Sequence, residues 1–522
     1  MREPRTAPSL VLLVSAAILA LGAVGCARLQ RLWSHDEVCE LGEEVEGGHA
    51  EPALLEPVDA PKKRAWEAAH GGQVAARPFV RARMNGWPSL LSVEGASLPE
   101  DPEEFARRVA LDTWRGLEAL HDRDNGLPVD HVHLDDTPAG PPEGVVGDYA
   151  NVTNVGLRML AIVAAERLGY LDEAGAIARI GAMLDTLDGL ERHHGFFLNY
   201  YDTTTLERTS NLLSFVDSSW LIAGLIVVRN RHPELAARAT ALVDAMDYGL
   251  FYDDDLGRMT HGFYVQKDRR SRYHYGVLFA ESRLGSVIAI GRGEAPPTHW
   301  YRMIRTFHRA AVAVADPEGA REKYGVEDEP YLGGWYEWEG IRYVPSWGGS
   351  MFEALMPTLV LDEPRLAPAS LGANDAAHVE VQRRFAGERL GYPVWGLSPS
   401  YEPGPSREYG EYGVKPLGAI GYGTGAVTPH AAALALAVDP ARALADLQEL
   451  ARRFPVYGDW GFYDSVDPAS GAVAHTYLTL DQAMTFVALA NHLTDHHIQR
   501  LFESDPIVAR ALPVIAAERF FE

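Results

Sequence analysis

An all-α (α/α)6 toroid, six helical hairpins closed into a ring with long loops forming a cleft on one face, is the fold this sequence predicts. Three observations carry the prediction. Apolar residues recur at helical spacing in twelve segments, the segments come in close pairs, and the connections between pairs are long and rich in Gly, Tyr, Trp, Asp and Glu.

The helical segments cover 102–120, 153–168, 172–190, 215–229, 233–247, 277–291, 300–314, 350–361, 375–390, 428–438, 441–453 and 480–493. Turns within a pair are tight: Gly169-Tyr170-Leu171 separates the second from the third, and Asp439-Pro440 follows Val438 at once. Repetition of helix, short turn, helix and long loop is the pattern of concentric hairpins, whose inner helices bury both faces and outer helices one. Strands are expected only in loop hairpins at 259–266 and 336–343. Loops beyond about 12–15 residues are uncommon in compact domains unless functional. Here they all leave the same end of each hairpin, which places a cleft on that face.

The chain has 522 residues, 47% of them hydrophobic and 23% charged, which excludes a wholly disordered, collagenous or coiled-coil protein. Its net charge of −25 repels phosphate backbones, so no nucleic-acid partner is expected; the chain is expected to be a monomer. Only Cys26 and Cys39 occur, so no disulfide framework holds the fold. Residues 1–26 read as a lipoprotein signal peptide: Arg2 and Arg5 precede an apolar stretch too short for an ordinary span, and Ala23-Val24-Gly25-Cys26 resembles a lipobox. Cleavage before Cys26 and acylation of its thiol would anchor the chain in the cell envelope, at the outer membrane, with lipid as the membrane contact. Residues 27–98 are polar, acidic and Pro-punctuated and read as a mostly disordered linker, which leaves 99–522 as the folded domain.

The long loops carry Phe196 to Asp202, Trp335-Tyr336-Glu337-Trp338-Glu339, Tyr343 to Trp347, Tyr392 to Trp395 and Tyr457 to Asp464. Aromatic faces suit the C–H faces of sugar rings and carboxylates suit their hydroxyl edges, so such a rim fits an oligo- or polysaccharide. The same aromatics could pack loops onto the helices. Glycosidic cleavage needs a proton donor and a second carboxylate, and a donor kept neutral near pH 7 needs burial or a like charge. Glu281, near the start of an apolar helix after a long aromatic loop, fits, with Arg283 as either a structural pair or a substrate contact. Asp217, Glu353, Asp464 and Asp481 are further candidates, each also able to serve as a helix cap or first-turn acid.

His131-x-His133 beside Asp135 and Asp136 reads as a turn more readily than as a cation site, and no metal is assigned. No Walker loop, Rossmann glycine pattern or Gly-x-Ser-x-Gly elbow occurs, so no cofactor is expected.

Thr153 to Leu157, Leu184 to Leu187, Tyr200 to Thr203 and Val216-Asp217-Ser218 resemble the start of bacterial glucoamylase-like domains. Glu281-Ser282-Arg283-Leu284, Trp347-Gly348-Gly349-Ser350-Met351-Phe352-Glu353, Val394 to Ser398, Gly461 to Asp464 and Asp481-Gln482-Ala483-Met484 resemble the transglycosylase domain of cyclic β-1,2-glucan synthases, and endo-β-1,2-glucanases share the broader pattern. The resemblance implies an (α/α)6 barrel, a general acid at Glu281 and a base at Asp464, with Asp481 next. Where the retaining synthase domain has its nucleophile, this chain has Pro399. An inverting glycoside hydrolase acting on a β-glucan, with β-1,2 linkage as the implied candidate, is therefore expected. Arg283, Trp335, Trp338, Trp347, Trp395, Tyr422, Trp460 and Tyr463 are expected to bind substrate. The alternative is a non-catalytic glycan-binding lipoprotein that keeps the barrel.

Overall fold

The computed structural model describes residues 61–69, 78–135, 141–305, 334–419 and 421–521. The lipobox, Cys26 and Cys39 lie outside them.

Thirteen helices among the described residues organise the domain. They are α1 (Pro102–Ala119), α2 (Val152–Leu168), α3 (Glu173–Gly189), α4 (Phe215–Arg231), α5 (Pro233–Ala245), α6 (Arg283–Arg292), α7 (Met351–Leu355), α8 (Leu371–Arg384), α9 (Pro429–Leu434), α10 (Pro440–Arg453), α11 (Thr479–Leu493), α12 (His497–Glu503) and α13 (Pro506–Ala517). Shorter helical turns join them. The starts are locally encoded: Asp101 and Asp172 accept first-turn N–H groups of α1 and α3, and Pro102, Pro233, Pro440 and Pro506 stand in first turns.

Burial separates two classes of helix. In α2 every residue from Val152 to Ala165 is buried, and in α4 so is every residue from Ser218 to Val228. In α5 only Leu235, Ala239, Leu242 and Val243 are, which is a single stripe. The fully buried helices are neighbours of one another: α2 packs on α4, α4 on α6, α7 on α9, α9 on α11 and α11 on α2. The α6–α7 join is made by Arg283, which donates to the carbonyls of Glu353 and Ala354. Outside this set, α3 packs on α2, α5 on α4, α13 on α6, α8 on α7, α10 on α9 and α1 on α11. The α2–α4 contact is close because both helices present glycine: a Cβ on Gly156 would lie 2.2 Å from the Trp220 carbonyl oxygen, and one on Gly224 would lie 2.5 Å from that of Gly156.

Short strands stitch the loops at the N-terminal ends of the buried helices. His131–Leu134 lies between Gly144–Val146 and Thr476–Leu478, Tyr149–Asn151 pairs with Tyr200–Asp202, and Ser400–Tyr401 with Tyr409–Gly410. Of the expected hairpins, Tyr336–Trp338 pairs with Ile341–Tyr343, whereas at 259–266 there is no hairpin: Arg258–Thr260 pairs with Tyr252–Asp253 and His274–Tyr275, and Gly262–Tyr264 pairs with Leu212–Ser214 and Arg269–Arg270. The additional strands are two to four residues long, too short for alternation to register in sequence.

Other differences have local causes. The helix expected from 277 begins at Arg283, because Val277 bridges Ile304, Leu278 donates to the Ile304 carbonyl, and the buried apolar run then bends before the helix starts. The 375–390 helix starts earlier, at Leu371, and ends in a π-helical turn, Phe385–Leu390, closed by Gly391 at φ 68°. Of the 300–314 helix, Thr298–Arg302 is seen, and the portion from 306 lies outside the described residues. Part of the linker expected over 27–98 is ordered: Pro61–Ala69 is helical, and from Pro78 the chain packs on the domain, burying Val80, Met84 and Leu98, with Arg83 paired to Asp122. Those anchors are irregularly spaced, which is why no periodicity reveals them. Among the described residues no helix is long and apolar enough to cross a membrane.

Candidate active site

The first turns of α2, α4, α7 and α11, with Glu281 just ahead of α6, line a cavity of about 350 Å³. Helix N-termini converging on one space concentrate carboxylates and hydroxyls there, since first-turn positions favour both.

Glu281 is partly buried and lines the cavity. Burial raises its carboxyl from 4.5 to about 7, the Glu353 and Asp217 charges add to the rise, and its own backbone N–H and Arg283 oppose it. A carboxyl of that affinity carries a proton near neutrality and can give it up, as a general acid must. Two further carboxylates line the same space. Asp217, in the first turn of α4, accepts from Thr153 Oγ1 at 2.7 Å and from the α4 cap, Ser214. Asp130, just before the His131–Leu134 strand, lies 2.9 Å from His131 Nδ1 and accepts from Asn154 at 3.3 Å. The walls between are tyrosine: Tyr149, Tyr200 and Tyr401, with Tyr409, 51% exposed, at the mouth. Tyr149 and Tyr200 meet edge to face at 5.7 Å, as do Tyr401 and Tyr409 at 5.6 Å.

The other carboxylate candidates are placed differently. Glu353 is not on the cavity wall. It closes a capping box on α7, accepting from Ser346, Gly348 N, Ser350 N and Ser350 Oγ. Asp464 and Asp481 are also off the wall, 1% and 3% exposed and packed together with His430, whose Nδ1 lies 2.6 Å from Asp481 Oδ2. The Asp464 carboxylate accepts the Tyr401 N–H at 2.6 Å, so Tyr401 stands between it and the cavity. Burial and the proximity of the two acids raise Asp464 well above its usual range, and burial raises Asp481 to about 8. Two buried acids so close cannot both ionise. The expectation that Asp464 meets the attacking water is therefore corrected: the structure brings Asp217 and Asp130 to Glu281's cavity and holds Asp464 and Asp481 behind its wall.

Residues 313–506 match a family model described as "Putative glucoamylase". Over 328 residues, 58% of this chain, the sequence is 28% identical to the cyclic β-(1,2)-glucan synthase of Rhizobium meliloti, of which the match covers 10%. A glucoamylase-like domain is present. The chain spans only about a tenth of the length of that curated relative. Among solved structures, the endo-β-1,2-glucanase of Chitinophaga pinensis, in complex with sophorotriose and glucose, superposes at a TM-score of 0.61 with 17% identity, covering 80% of this chain and 99% of its own. The β-1,2-glucanase of Parabacteroides distasonis gives 0.64 and 18%, over 80% of this chain and 61% of its own. A Bacteroides fragilis protein described as a "putative glucoamylase" gives 0.63 and 19%, over 81% and 98%.

In this glucoamylase-like domain most of the expected substrate contacts are packing. Arg283 is fully buried, its Nε and Nη2 2.8 and 2.7 Å from the two Glu363 oxygens. Trp395 and Trp460 are 6% exposed and Tyr463 1%, its hydroxyl donating to the Leu91 carbonyl. Trp335 meets Phe521 and Arg342, and Trp338 meets Phe385 and Arg384, all away from the cavity. Trp347 is partly buried and absent from the wall. Tyr422 covers Gly348, and burial, followed by the Glu353, Glu411 and Glu281 charges, raises its hydroxyl, which places it near the acid without reaching the wall. Among the wall residues the loop pattern holds Tyr200, whereas Asp130, Tyr149, Tyr401 and Tyr409 escape it. Asp130 had a visible signal in its neighbour His131, which in sequence suggests a turn. Among the described residues no group of three His, Cys, Asp or Glu side chains is placed to hold a metal ion.

Proposed function

We propose that this glucoamylase-like domain is an inverting glycoside hydrolase cleaving a β-glucan, with a β-1,2-linked chain as the first candidate, inside an (α/α)6 toroid. The toroid reading is supported by the sequence of contacts among the six buried helices and the outer layer on each. The observation that carries the function is Glu281, raised to about 7 inside a tyrosine-lined cavity that also holds Asp217 and Asp130. Glu281 gives its proton to the leaving oxygen, and a carboxylate on the same wall takes one from the attacking water. Pro399 at the position of the retaining nucleophile supports inversion. The names of the superposing β-1,2-glucanases and of the β-glucan synthase relative support the choice of glucan.

The sequence pattern of residues 1–26 supports an enzyme held at the cell envelope through lipid on Cys26. The deciding experiment is product analysis on linear β-1,2-, β-1,3-, β-1,4- and α-1,4-glucans with anomer formation followed by NMR. The expected result is α-configured reducing ends from β-1,2-glucan. Binding without reducing-end release would replace this reading with the non-catalytic glycan-binding lipoprotein, which Pro399 also suits.

A further inference from the structure

We infer that Asp130 is the carboxylate that activates water and that His131 positions it. The inference rests on the hydrolase reading above and names its second catalytic residue. Two acids on the wall compete for the role. Asp217 belongs to α4, the immediate neighbour of α6, where Glu281 stands. Thr153 Oγ1 and Ser214 Oγ, the α4 cap, donate to its two oxygens, which ties its carboxylate to the start of that helix. Asp130 is held elsewhere around the ring. Its carbonyl accepts from Thr479 at the start of α11, its N–H donates to the Gly147 carbonyl, and its carboxylate accepts from Asn154 of α2. Following the buried helices in order, α2 and α11 lie beyond α4 from α6, so Asp130 stands further round the ring from Glu281 than Asp217 does. Inversion needs about 6.5–9.5 Å between the carboxyls so that a water fits.

The surroundings of Asp130 are those of a held base. His131 Nδ1 lies 2.9 Å from its Oδ2 and 3.2 Å from the Tyr401 hydroxyl, and the Tyr149 hydroxyl also bonds it. The imidazole lies flat on Gly147: a Cβ there would be 2.5 Å from His131 Cε1. Backbone pairing on both sides of the His131–Leu134 strand fixes the chain that carries it. In the step, water oxygen bonds to the anomeric carbon as Asp130 takes its proton. The glycosidic C–O bond breaks, and the leaving oxygen takes the Glu281 proton. Asp130 then releases its proton to solvent and Glu281 recovers one.

The test uses the full chain on the glucan that the wild type hydrolyses. Asp130→Ala should lower kcat by about 10²–10⁴-fold, and sodium azide, filling the vacated space, should restore turnover and give an α-glycosyl azide detectable by NMR. His131→Phe should lower kcat with KM unchanged, and His131→Asn, which keeps a donor near Nδ1, should recover most of the loss. Asp130→Asn, matched in shape, guards against a folding defect and should be as slow as the alanine variant. Azide that yields no glycosyl azide, or Asp130→Asn within tenfold of wild type, overturns the inference. An active wild type killed by Glu281→Gln but not by Asp130→Asn overturns this assignment alone, whereas full activity of Glu281→Gln overturns the hydrolase reading itself.

Discussion

Asp217 and Glu281 stand at the N-terminal ends of adjacent buried helices and face one cavity, and the charge of the first raises the proton affinity of the second. The relationship makes a pH prediction. Glu281 is active when protonated, so the alkaline limb of kcat/KM should fall with a midpoint near its value of about 7. Asp217→Asn removes a like charge and should move that midpoint acidward, by about one unit or less. An unmoved or alkaline-shifted limb would show that Asp217 does not act on Glu281.

Replacement of Glu281 itself should be more severe. Glu281→Gln keeps the shape of the side chain but cannot donate the proton, so kcat should drop by about 10²–10⁴-fold while substrate still binds. Activated substrates with good leaving groups should lose less, because they need less protonation. Initial rates on both substrate classes, with binding by calorimetry, check this.

The buried guanidinium of Arg283 predicts a stability effect. Its partner Glu363 is 1% exposed, and Arg283 itself 0%. Arg283→Ala strands that carboxylate and should cost about 3–5 kcal/mol in urea unfolding. Replacing both partners by methionine should recover much of the loss. A soluble, equally stable Arg283→Ala with a raised KM would restore the substrate-binding role expected from sequence.

The architecture was legible where a helix has caps and a continuous apolar record, as α2 and α4 do. Sequence pairing and the Gly169 turn, which sits at φ 77°, mark the inner and outer members of a hairpin. Glu281 was legible for the same reason: it is tied to the start of a recognisable helix. The opposing carboxylate was not. Asp130 is brought to the cavity by strands of four and three residues whose partners are 144–146 and 476–478, so its position depends on pairing across some 340 residues that leaves no local pattern. The aromatics misled because Trp and Tyr in Gly-rich loops satisfy two demands equally well. Trp460 packs its side chain against Gly116 and its ring against Tyr477, a core use of a residue whose neighbours read as a sugar platform.

The glycine contact between α2 and α4 should be intolerant. A Cβ at Gly156 would stand 2.2 Å from the Trp220 carbonyl oxygen, and backbone cannot rotate away as a side chain can. Gly156→Val should destabilise by about 1–3 kcal/mol or prevent folding, and because α4 carries Asp217, any folded fraction should also lose activity. Thermal melts alongside specific activity measure both. A variant as stable as wild type would mean that the two helices are further apart.

The Asp464–Asp481 pair predicts how stability varies with pH. Asp481 has a folded value of about 8 against an ordinary 3.8, so the folded protein keeps a proton there that the unfolded chain releases. The stability this group contributes is whole below pH 3.8 and is lost as pH rises towards 8, since the folded state binds more protons throughout that window. Asp464, raised by the same burial, adds to the fall. Asparagine at 481 has no proton to lose. The melting temperature of Asp481→Asn minus that of wild type should therefore climb steadily from pH 4 to pH 8. The His430 imidazole, which burial lowers from 6.5 to about 4, acts in the opposite sense, adding stability as pH rises between those values, and cancels in the difference because variant and wild type both carry it. A difference that stays flat across the window would mean that the two acids are ionised in the folded state and that solvent or a cation reaches them.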